Sequence, residues 1–249
     1  MAELLADVTD DALLGGRVRL LQPARGHRAG TDAVLLAAAA PVSPGEVVID
    51  VGAGTGAVGL MIASRVRAAV VFVERDPLLA DLCRRNAALN GIETSIAAAD
   101  VLDPASRRQA ALLAESADVV VTNPPYLEEG GARISPDEGR AAAHVLPRGG
   151  LEAWLRACAA LLKPNRCLAV IHRADRVGEC LERLGRGFGD HRLRFVHPRA
   201  DRPATRVLIT AVKGSRAPLA VLPPLFLHDD TGRFTPLAEA LHRGDGNLP

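Results

Sequence analysis

Residues 46–59 read Glu-Val-Val-Ile-Asp-Val-Gly-Ala-Gly-Thr-Gly-Ala-Val-Gly, a short apolar run that passes directly into a glycine-rich segment. The run Glu46–Val51 has the β-branched composition of a buried parallel strand. The glycines permit a tight turn and let a ligand approach the backbone at the start of the next helix, which we predict to extend to about Val66. This unit predicts an α/β fold with a ligand site at the carboxyl end of the strand.

The rest of the chain continues to alternate between strand and helix patterns. Further strands are predicted at residues 70–74, 95–99, 119–122 and 167–171, with helices at 77–90, 104–115, 151–162 and 175–184. Two strands with no helix between them, 192–196 and 206–213, then close the sheet. The expected architecture is a seven-stranded, mostly parallel sheet with an antiparallel C-terminal hairpin and helices on both faces.

We interpret residues 1–249 as one domain with three parts. These are an N-terminal cover segment (1–44), a catalytic core (45–214) and a C-terminal extension (215–249).

The two flanking parts carry weaker patterns. In the cover segment we expect a weakly helical lead over residues 1–14, an edge strand or hairpin at 17–23, and a helix over 33–40 that Thr31 or Asp32 caps. In the extension, the apolar run 219–227 suggests one more edge strand, and we expect the last ten residues to be loose.

Composition narrows the class of protein. The chain has 249 residues, of which 48% are hydrophobic and 24% charged, and a net charge of +1, so bulk charge does not indicate a nucleic-acid partner. The four cysteines lie far apart with no C-x-x-C pair, which argues against zinc and disulfides and favours a reducing compartment. With no signal-peptide pattern and no apolar run of membrane-spanning length, we predict a cytoplasmic protein that binds neither metal nor membrane.

A second decisive stretch, residues 119–126, reads Val-Val-Val-Thr-Asn-Pro-Pro-Tyr. The prolines end the strand because they lack an N–H, which leaves Asn123 at its carboxyl end. The Asn123 amide oxygen and the Pro124 carbonyl can each accept one hydrogen of an amino group, which favours a pyramidal nitrogen with its lone pair aimed at an electrophile. Pro125 makes that carbonyl rigid, and Tyr126, the only tyrosine, can stack on a planar target. We therefore predict Asn123, Pro124, Pro125 and Tyr126 as catalytic residues that act by orientation and charge stabilisation.

The glycine loop is compatible with two cofactors. Gly54-x-Gly56-x-x-Gly59 fits the dinucleotide fingerprint, and Glu74 ends the second strand where a ribose would need an acid. However, Asp50 followed by glycines at alternate positions is typical of S-adenosylmethionine sites, and Asp100 follows the next strand, where it can meet an adenine amino group. Together with residues 123–126, this pattern favours a methyl donor. The predicted cofactor-binding residues are Thr31, Asp50, Gly52, Ala53, Gly54, Thr55, Gly56, Glu74, Asp100 and Asn123.

Three further features carry weaker signals. Residues 128–150 follow the predicted catalytic residues directly and form a candidate lid or substrate-recognition loop that contains Arg140, His144 and Arg148. His172 is a lone strand-end histidine, which we interpret as structural. Trp154, the only tryptophan, has the helical spacing of a core residue.

The ordered set Asp50–Gly56, Glu74, Asp100 and Asn123–Tyr126 resembles the class I methyltransferases that act on amino groups. Two further stretches, Gly-Thr-Asp-Ala-Val-Leu-Leu at 30–36 and Arg-Pro-Ala-Thr-Arg-Val-Leu-Ile at 202–209, narrow the resemblance to the bacterial tRNA1(Val) adenine N6-methyltransferase family. It covers roughly residues 12–214 and implies a Rossmann-like fold, S-adenosylmethionine as donor, and methylation of the adenosine just 3′ of the anticodon in one tRNA.

The resemblance also implies residue roles. The glycine loop would hold the methionine and ribose part of the cofactor, Glu74 the ribose hydroxyls and Asp100 the adenine. Asn123 and Pro124 would hold the target amino group while Tyr126 stacks on its base. For contacts with tRNA phosphates the candidates are two arginine clusters, Arg17, Arg19, Arg25 and Arg28, and Arg199, Arg202 and Arg206.

Three alternatives remain open. A methyltransferase for a glutamine side chain of a translation release factor would also act on a planar NH₂, although such enzymes usually carry a helical substrate domain before the glycine loop. A binding module that holds the cofactor without turnover is disfavoured by the intact residues 123–126. A nicotinamide oxidoreductase would bind NAD rather than S-adenosylmethionine.

Overall fold

The computed structural model describes residues 8–25, 28–125, 127–128, 145–146 and 150–248. Its helices are α1 (Thr31–Ala39), α2 (Ala57–Arg65), α3 (Pro77–Leu89), α4 (Pro104–Gln109), α5 (Gly150–Leu161), α6 (Val177–Leu184) and α7 (Pro236–Arg243). Its strands are β1 (Val8–Leu13), β2 (Val18–Pro23), β3 (Val47–Val51), β4 (Ala69–Glu74), β5 (Ser95–Ala98), β6 (Ala117–Thr122), β7 (Leu127–Glu128), β8 (Val145–Leu146), β9 (Leu162–Arg173), β10 (Phe188–His197), β11 (Arg206–Lys213), β12 (Ala220–Val221) and β13 (Leu225–Phe226).

The main sheet has the strand order β12-β10-β11-β9-β6-β3-β4-β5, and β13 also pairs with β10. Strands β9, β6, β3, β4 and β5 run parallel, whereas β11 is antiparallel to both β9 and β10. The predicted mostly parallel sheet with an antiparallel hairpin is confirmed; its seven predicted strands are joined by the two short strands β12 and β13, which make nine. The predicted edge strand of the extension forms as two short pieces, β12 and β13, because Pro223 and Pro224 between them lack the N–H that a ladder needs.

The central strand β6 is buried on both faces, which explains its unbroken β-branched composition. Val119 and Val121 belong to the hydrophobic cluster that α1 and α2 cover. Val120, between them, belongs to the cluster that α5 and α6 cover on the other face. The predicted helices on both faces of the sheet are therefore confirmed.

The chain leaves β3 for β4 on one side and later reaches β6 on the other side of β3. The carboxyl ends of β3 and β6 are therefore neighbours at a topological switch point, where open α/β sheets bind ligands. The glycine loop follows β3 and Asn123 follows β6, so the topology brings the two decisive stretches of sequence together.

The N-terminal segment differs from its prediction. Residues 8–13 form β1, which pairs antiparallel with β2, whereas the sequence suggested a weakly helical lead. The strand is stabilised across the hairpin, where Gln22 Nε2 donates to Asp11 Oδ2 at 3.0 Å. The contact joins residues 11 positions apart, beyond the range of the local pattern from which residues 1–14 were predicted.

Two helix boundaries were also predicted wrongly. Helix α1 begins at Thr31 with Gly30 as its N-cap, because the Asp32 carboxylate is bonded instead to Arg206 Nε at 2.8 Å. Helix α4 ends at Gln109 rather than near residue 115, because Ala111 has a positive φ of 54° that a helix cannot continue.

Residues 240–248 are ordered, although the last ten residues were predicted to be loose. Helix α7 is capped by Thr235, whose Oγ1 accepts from Ala238 N, and it buries Leu241 against the core. Leu248 is only 7% exposed, and its N–H donates to Ala38 O at 3.0 Å. The sequence prediction missed this attachment because only two leucines, Leu241 and Leu248, make it, and they lie among mostly polar residues.

Gly59 lies inside α2 where the helix packs most closely on the sheet. A Cβ added there would lie 2.4 Å from Phe72 Cε1 and 2.8 Å from Val70 Cγ1. We expect Gly59→Ala to lower the free energy of unfolding by about 1–3 kcal/mol because the neighbours have no room to move. Urea unfolding monitored by circular dichroism measures the change.

Gly178 in α6 is the matched control. It is exposed, and a Cβ added there meets no described atom within 4 Å. We expect Gly178→Ala to raise stability by roughly 0.5–1 kcal/mol through helix propensity. Equal stability of the two variants would contradict the close packing of α2.

Candidate active site

Three glycines shape the loop between β3 and α2. Gly52, Gly54 and Gly56 have φ values of +72°, +57° and +90°, a region that side chains with a Cβ rarely adopt. A Cβ on Gly52 would lie 3.0 Å from the Trp154 ring, and one on Gly56 would lie 2.7 Å from Cys83 Sγ. A Cβ on Gly54 meets no described atom within 4 Å, so the loop is packed on two sides and open at Gly54.

Two carboxylates hold this loop through its backbone. Gly59 N donates to Asp50 Oδ2 at 2.9 Å, which ties the first turn of α2 to the end of β3. Gly54 N donates to Glu74 Oε2 at 2.8 Å, and Asp76 N donates to Glu74 Oε1 at 2.9 Å. Burial raises the pKa of Asp50 to about 7; the Gly59 hydrogen bond opposes this rise and the charge of Glu74 adds to it.

Asn86 on α3 joins the N-terminal hairpin to the glycine loop. Its Nδ2 donates to Leu21 O and to Thr55 O, both at 2.9 Å, and its Oδ1 accepts from Leu21 N at 2.7 Å. The residue is fully buried. Sequence reasoning missed it, although an asparagine at i+3 from Cys83, on the apolar face of a helix, was a usable signal.

A second link fixes the end of β6. Thr122 Oγ1 donates to Val51 O at 2.9 Å and accepts from Trp154 Nε1 at 2.9 Å. Trp154 therefore packs in the core, as predicted, and also positions the backbone from which Asn123 projects. Beyond Thr122, Asn123 is partly buried and Pro124 is buried.

A cavity of about 320 Å³ lies at this switch point. It brings together seven of the predicted site residues, namely Thr31, Asp50, Gly52, Ala53, Gly54, Thr55 and Asn123. Arg28, Asp32 and Leu79 also line the cavity, although they were not among the predicted catalytic or cofactor-binding residues.

The other predicted residues lie outside the lining of this cavity. Gly56 is the N-cap of α2, and Glu74 supports Gly54 by the hydrogen bond described above. Asp100 caps a turn after β5, where its Oδ1 accepts from Leu102 N at 2.9 Å. Pro124 and Pro125 follow Asn123 without lining the cavity. Tyr126, Arg140, His144 and Arg148 lie outside the described residues, as does most of the predicted lid at 128–150.

The N-terminal hairpin positions Arg28 at the cavity wall. Arg28 Nη2 donates to Asp11 Oδ2 at 2.6 Å, and Arg28 Nη1 donates to Thr9 Oγ1 at 2.8 Å. Ala29 N donates to Gln22 Oε1 at 2.7 Å, which fixes the segment leading into α1. The cover segment is thus part of the wall of the site.

The two arginine clusters proposed for phosphate contact are largely neutralised within the fold. The ion pairs are Arg17 with Asp245, Arg19 with Asp10, Arg28 with Asp11, Arg199 with Asp201, Arg202 with Asp201 and Arg206 with Asp32. Sequence composition showed the arginines but not their partners, two of which, Asp245 and Asp32, come from distant segments. Carboxylates therefore balance most of the positive charge of these two clusters.

Among the described residues, no histidine or cysteine lines the cavity. His172 is buried, and burial lowers its pKa to about 4, which fits the structural role predicted for it. Within the described part of the chain, no group of three or more His, Cys, Asp or Glu residues could hold a metal ion. No described helix is long and apolar enough to cross a membrane. All four cysteines are unpaired.

Comparison with known proteins gives this geometry a context. Residues 28–158 match the family model of the methyltransferase small domain. A Porphyromonas gingivalis protein named tRNA1(Val) (adenine(37)-N6)-methyltransferase is 34% identical over 157 residues, which is 60% of either chain. An Erwinia tasmaniensis protein of the same name is 34% identical over 190 residues, which is 73% of this chain and 74% of that protein.

Among solved structures, a predicted O-methyltransferase from Agrobacterium tumefaciens superposes with a TM-score of 0.72 and 31% sequence identity. The superposition covers 87% of this chain and 98% of the Agrobacterium chain. This chain covers only three fifths of the length of the P. gingivalis relative.

Asp50 should make the stability of the ligand-free protein depend on pH. Because its pKa rises from 3.8 to about 7 on folding, the folded state binds the extra proton, and stability falls as pH rises from 4 to 7. Asp50→Asn keeps an oxygen for Gly59 N–H but cannot ionise. We expect this variant to gain stability over the wild type above pH 7, by roughly 4 kcal/mol at most. Urea midpoints at pH 5 and pH 8 measure the gain, and a difference independent of pH would contradict it.

Proposed function

Since this chain belongs to the methyltransferase small domain family, alongside the bacterial tRNA1(Val) (adenine(37)-N6)-methyltransferases, we propose that it methylates the N6 amino group of an adenosine in tRNA. The methyl donor is S-adenosylmethionine. The observation that carries the proposal is that Asn123, followed by Pro124 and Pro125, lines the same cavity as the glycine loop. The glycine loop and Asn123, one of the two proposed amino-group acceptors, therefore border one space.

The lining of the cavity fits S-adenosylmethionine, which supplies an electrophilic methyl group when bound. Gly54 leaves the loop open toward a ligand, and the cavity lining contains basic Arg28 together with acidic Asp32 and Asp50. Such a mixed set suits a molecule that carries both a carboxylate and positive charges. We propose that Thr31, Asp50, Gly52, Ala53, Gly54, Thr55 and Gly56 hold it, with Glu74 and Asp100 toward the ribose and adenine.

The proposed work of the chain is to orient the target nitrogen. Asn123 Oδ1 accepts one N–H and the Pro124 carbonyl accepts the other, so the lone pair points into the cavity. Thr122, fixed by Val51 and Trp154, holds the backbone that carries both acceptors. Preorganised acceptors of this kind stabilise the positive charge that develops on nitrogen as it is alkylated. Tyr126 would stack on the target base.

The two acceptors favour an amino group over a hydroxyl group. The Agrobacterium neighbour is named a predicted O-methyltransferase. A hydroxyl has one hydrogen and would leave one of the two acceptors without a donor, which is unfavourable in a closed site. An exocyclic amine or an amide NH₂ fills both.

The relatives favour RNA over a glutamine side chain as the proposed acceptor. The Porphyromonas gingivalis and Erwinia tasmaniensis proteins are both named for an adenosine of tRNA.

We also propose that residues 1–249 act as one domain in the cytoplasm. Support for one domain is the burial of Leu241 and Leu248 in the same cluster as α1 and α2. Support for a reducing compartment is that all four cysteines are unpaired.

The test supplies purified protein and radiolabelled S-adenosylmethionine with three acceptors: unmodified bulk tRNA, rRNA and a release factor. We expect label in tRNA, recovered after digestion as N6-methyladenosine. Label in the release factor would contradict the tRNA proposal and identify a protein glutamine as the acceptor. Binding of S-adenosylmethionine without label in any acceptor would indicate a binding module that does not transfer the methyl group.

Asn123→Ala tests the proposed orientation of the amino group. We expect single-turnover methyl transfer to fall by roughly 10²- to 10³-fold, because one preorganised acceptor is lost. Affinity for S-adenosylmethionine, measured by calorimetry, should change by less than about tenfold. Asn247→Ala, at an exposed asparagine outside the cavity, is the matched control and should keep full turnover. Near-normal turnover of Asn123→Ala would contradict the proposed role of Asn123 in orienting the amino group.

A further inference from the structure

The C-terminal extension carries a run of aromatic rings that the site described above does not use. His228 and Phe234 are stacked with ring centroids 4.9 Å apart and an interplanar angle of 18°. Phe234 and His242 follow at 4.5 Å with a tilt of 55°. We refer to His228, Phe234 and His242 as the ring surface. The chain as a whole is poor in aromatic residues, at 3%, so this grouping is local.

The ring surface begins at the wall of the cavity. His242 Nε2 lies 3.4 Å from Thr31 Oγ1, and Thr31 lines the cavity with Asn123. A further contact places the rings at the carboxyl edge of the sheet, because Phe226 packs on His197, the last residue of β10, with centroids 5.3 Å apart. The ring surface therefore extends outward from the proposed reaction site along the edge at which ligands bind.

The rings are held in place by the backbone. His228 Nδ1 donates to Pro198 O at 3.1 Å, since a carbonyl can only accept. The loop between His228 and Phe234 is closed by Asp229, whose Oδ1 accepts from Thr231 N at 2.8 Å and from Arg233 N at 3.1 Å. Rings fixed in this way lose little conformational freedom when another ring stacks on them.

Packing of the extension does not require the ring of Phe234. Leu225, Leu241 and Leu248 attach the extension to the core and are buried. Phe234 is 40% exposed, whereas the other four phenylalanines are buried or partly buried. An exposed, fixed phenylalanine beside a candidate active site is a surface suited to a planar partner.

We propose that the ring surface stacks an unpaired nucleobase of the RNA substrate, next to the base whose amino group Asn123 and Pro124 receive. The inference rests on the proposed function and extends it to substrate recognition. A base that enters a pocket leaves its neighbours in the loop without a stacking partner, and aromatic side chains supply a replacement. The contact is tolerant of sequence because every base has a π-face.

The charges around the ring surface predict how this contact responds to salt. Arg199 lies 3.2 Å from Asp201 and 3.7 Å from Asp230, so this neighbouring arginine is already paired. Phosphate contacts produce a steep dependence on salt, whereas stacking does not. The share of affinity contributed by the rings should therefore be nearly the same at low and at moderate salt.

The test compares three variants of the full chain. Phe234→Leu removes the ring but keeps apolar volume, Phe234→Trp keeps a ring, and Leu237→Ala is the control, because Leu237 is 45% exposed on the adjoining helix α7 and carries no ring. Fluorescence anisotropy measures affinity for a synthetic anticodon stem–loop and for the same sequence held in a duplex. Calorimetry with S-adenosylmethionine and circular dichroism confirm that each variant is folded and binds cofactor.

We expect Phe234→Leu to weaken binding of the stem–loop by roughly 5- to 100-fold at both 50 mM and 200 mM salt. Phe234→Trp and Leu237→Ala should bind within about threefold of the wild type, and the duplex should show no loss with any variant. Unchanged stem–loop affinity of Phe234→Leu would overturn the inference, as would an equal loss in Leu237→Ala. Failure of the proposed function is distinct, since it would appear as absence of methyl transfer to tRNA by the wild type.

Discussion

The hydrogen bond from Gly59 N–H to the Asp50 carboxylate is the constraint on which the rest of the site depends. It closes the turn between β3 and α2, and three glycines with positive φ are needed to complete that turn. Three further contacts fix the same loop. Glu74 accepts a hydrogen bond from Gly54 N, and Asn86 donates one to Thr55 O. The Trp154 ring leaves no space for a side chain at Gly52. The carboxylate is kept in an apolar setting that resists its ionisation, so the fold tolerates a local electrostatic penalty to obtain a fixed turn.

Both ends of the chain are attached to the ligand edge rather than standing apart from it. The N-terminal hairpin is bonded to α3 through Asn86 and places Arg28 at the cavity. The C-terminal extension reaches α1 through Leu248 and Thr31 through His242. Helix α1 therefore follows a segment that the hairpin fixes through Gln22 and packs against helix α7 of the extension. The formal net charge is only +1 because 29 acidic residues nearly balance 30 basic ones, and ion pairs such as Arg17 with Asp245 and Arg206 with Asp32 bring opposite charges from separate segments together.

The sheet and its switch point were predictable from sequence because they follow from local patterns. Each parallel strand is a continuous apolar run, and the two prolines after Asn123 fix where β6 stops. The predictions failed where contacts between distant residues decide the structure. Strand β1 depends on Gln22, the start of α1 on Arg206, and the ordered tail on Ala38. Of the predicted site, the lining at residues 50–55 and Asn123 could be found from motif spacing, whereas Asn86 and Arg28 act through partners far away in the chain.

The placement of the single tryptophan gives the molecule a built-in optical probe. The Trp154 ring faces Gly52 at the turn, and its indole N–H is bonded to Thr122 beside Asn123. The chain contains no second indole and only one phenol, so its ultraviolet emission originates almost entirely from the junction of the two strands that form the site. Ligand binding that shifts the end of β3 or β6 changes the polarity around the Trp154 indole. The intrinsic fluorescence of the chain therefore reports on the site without an added label.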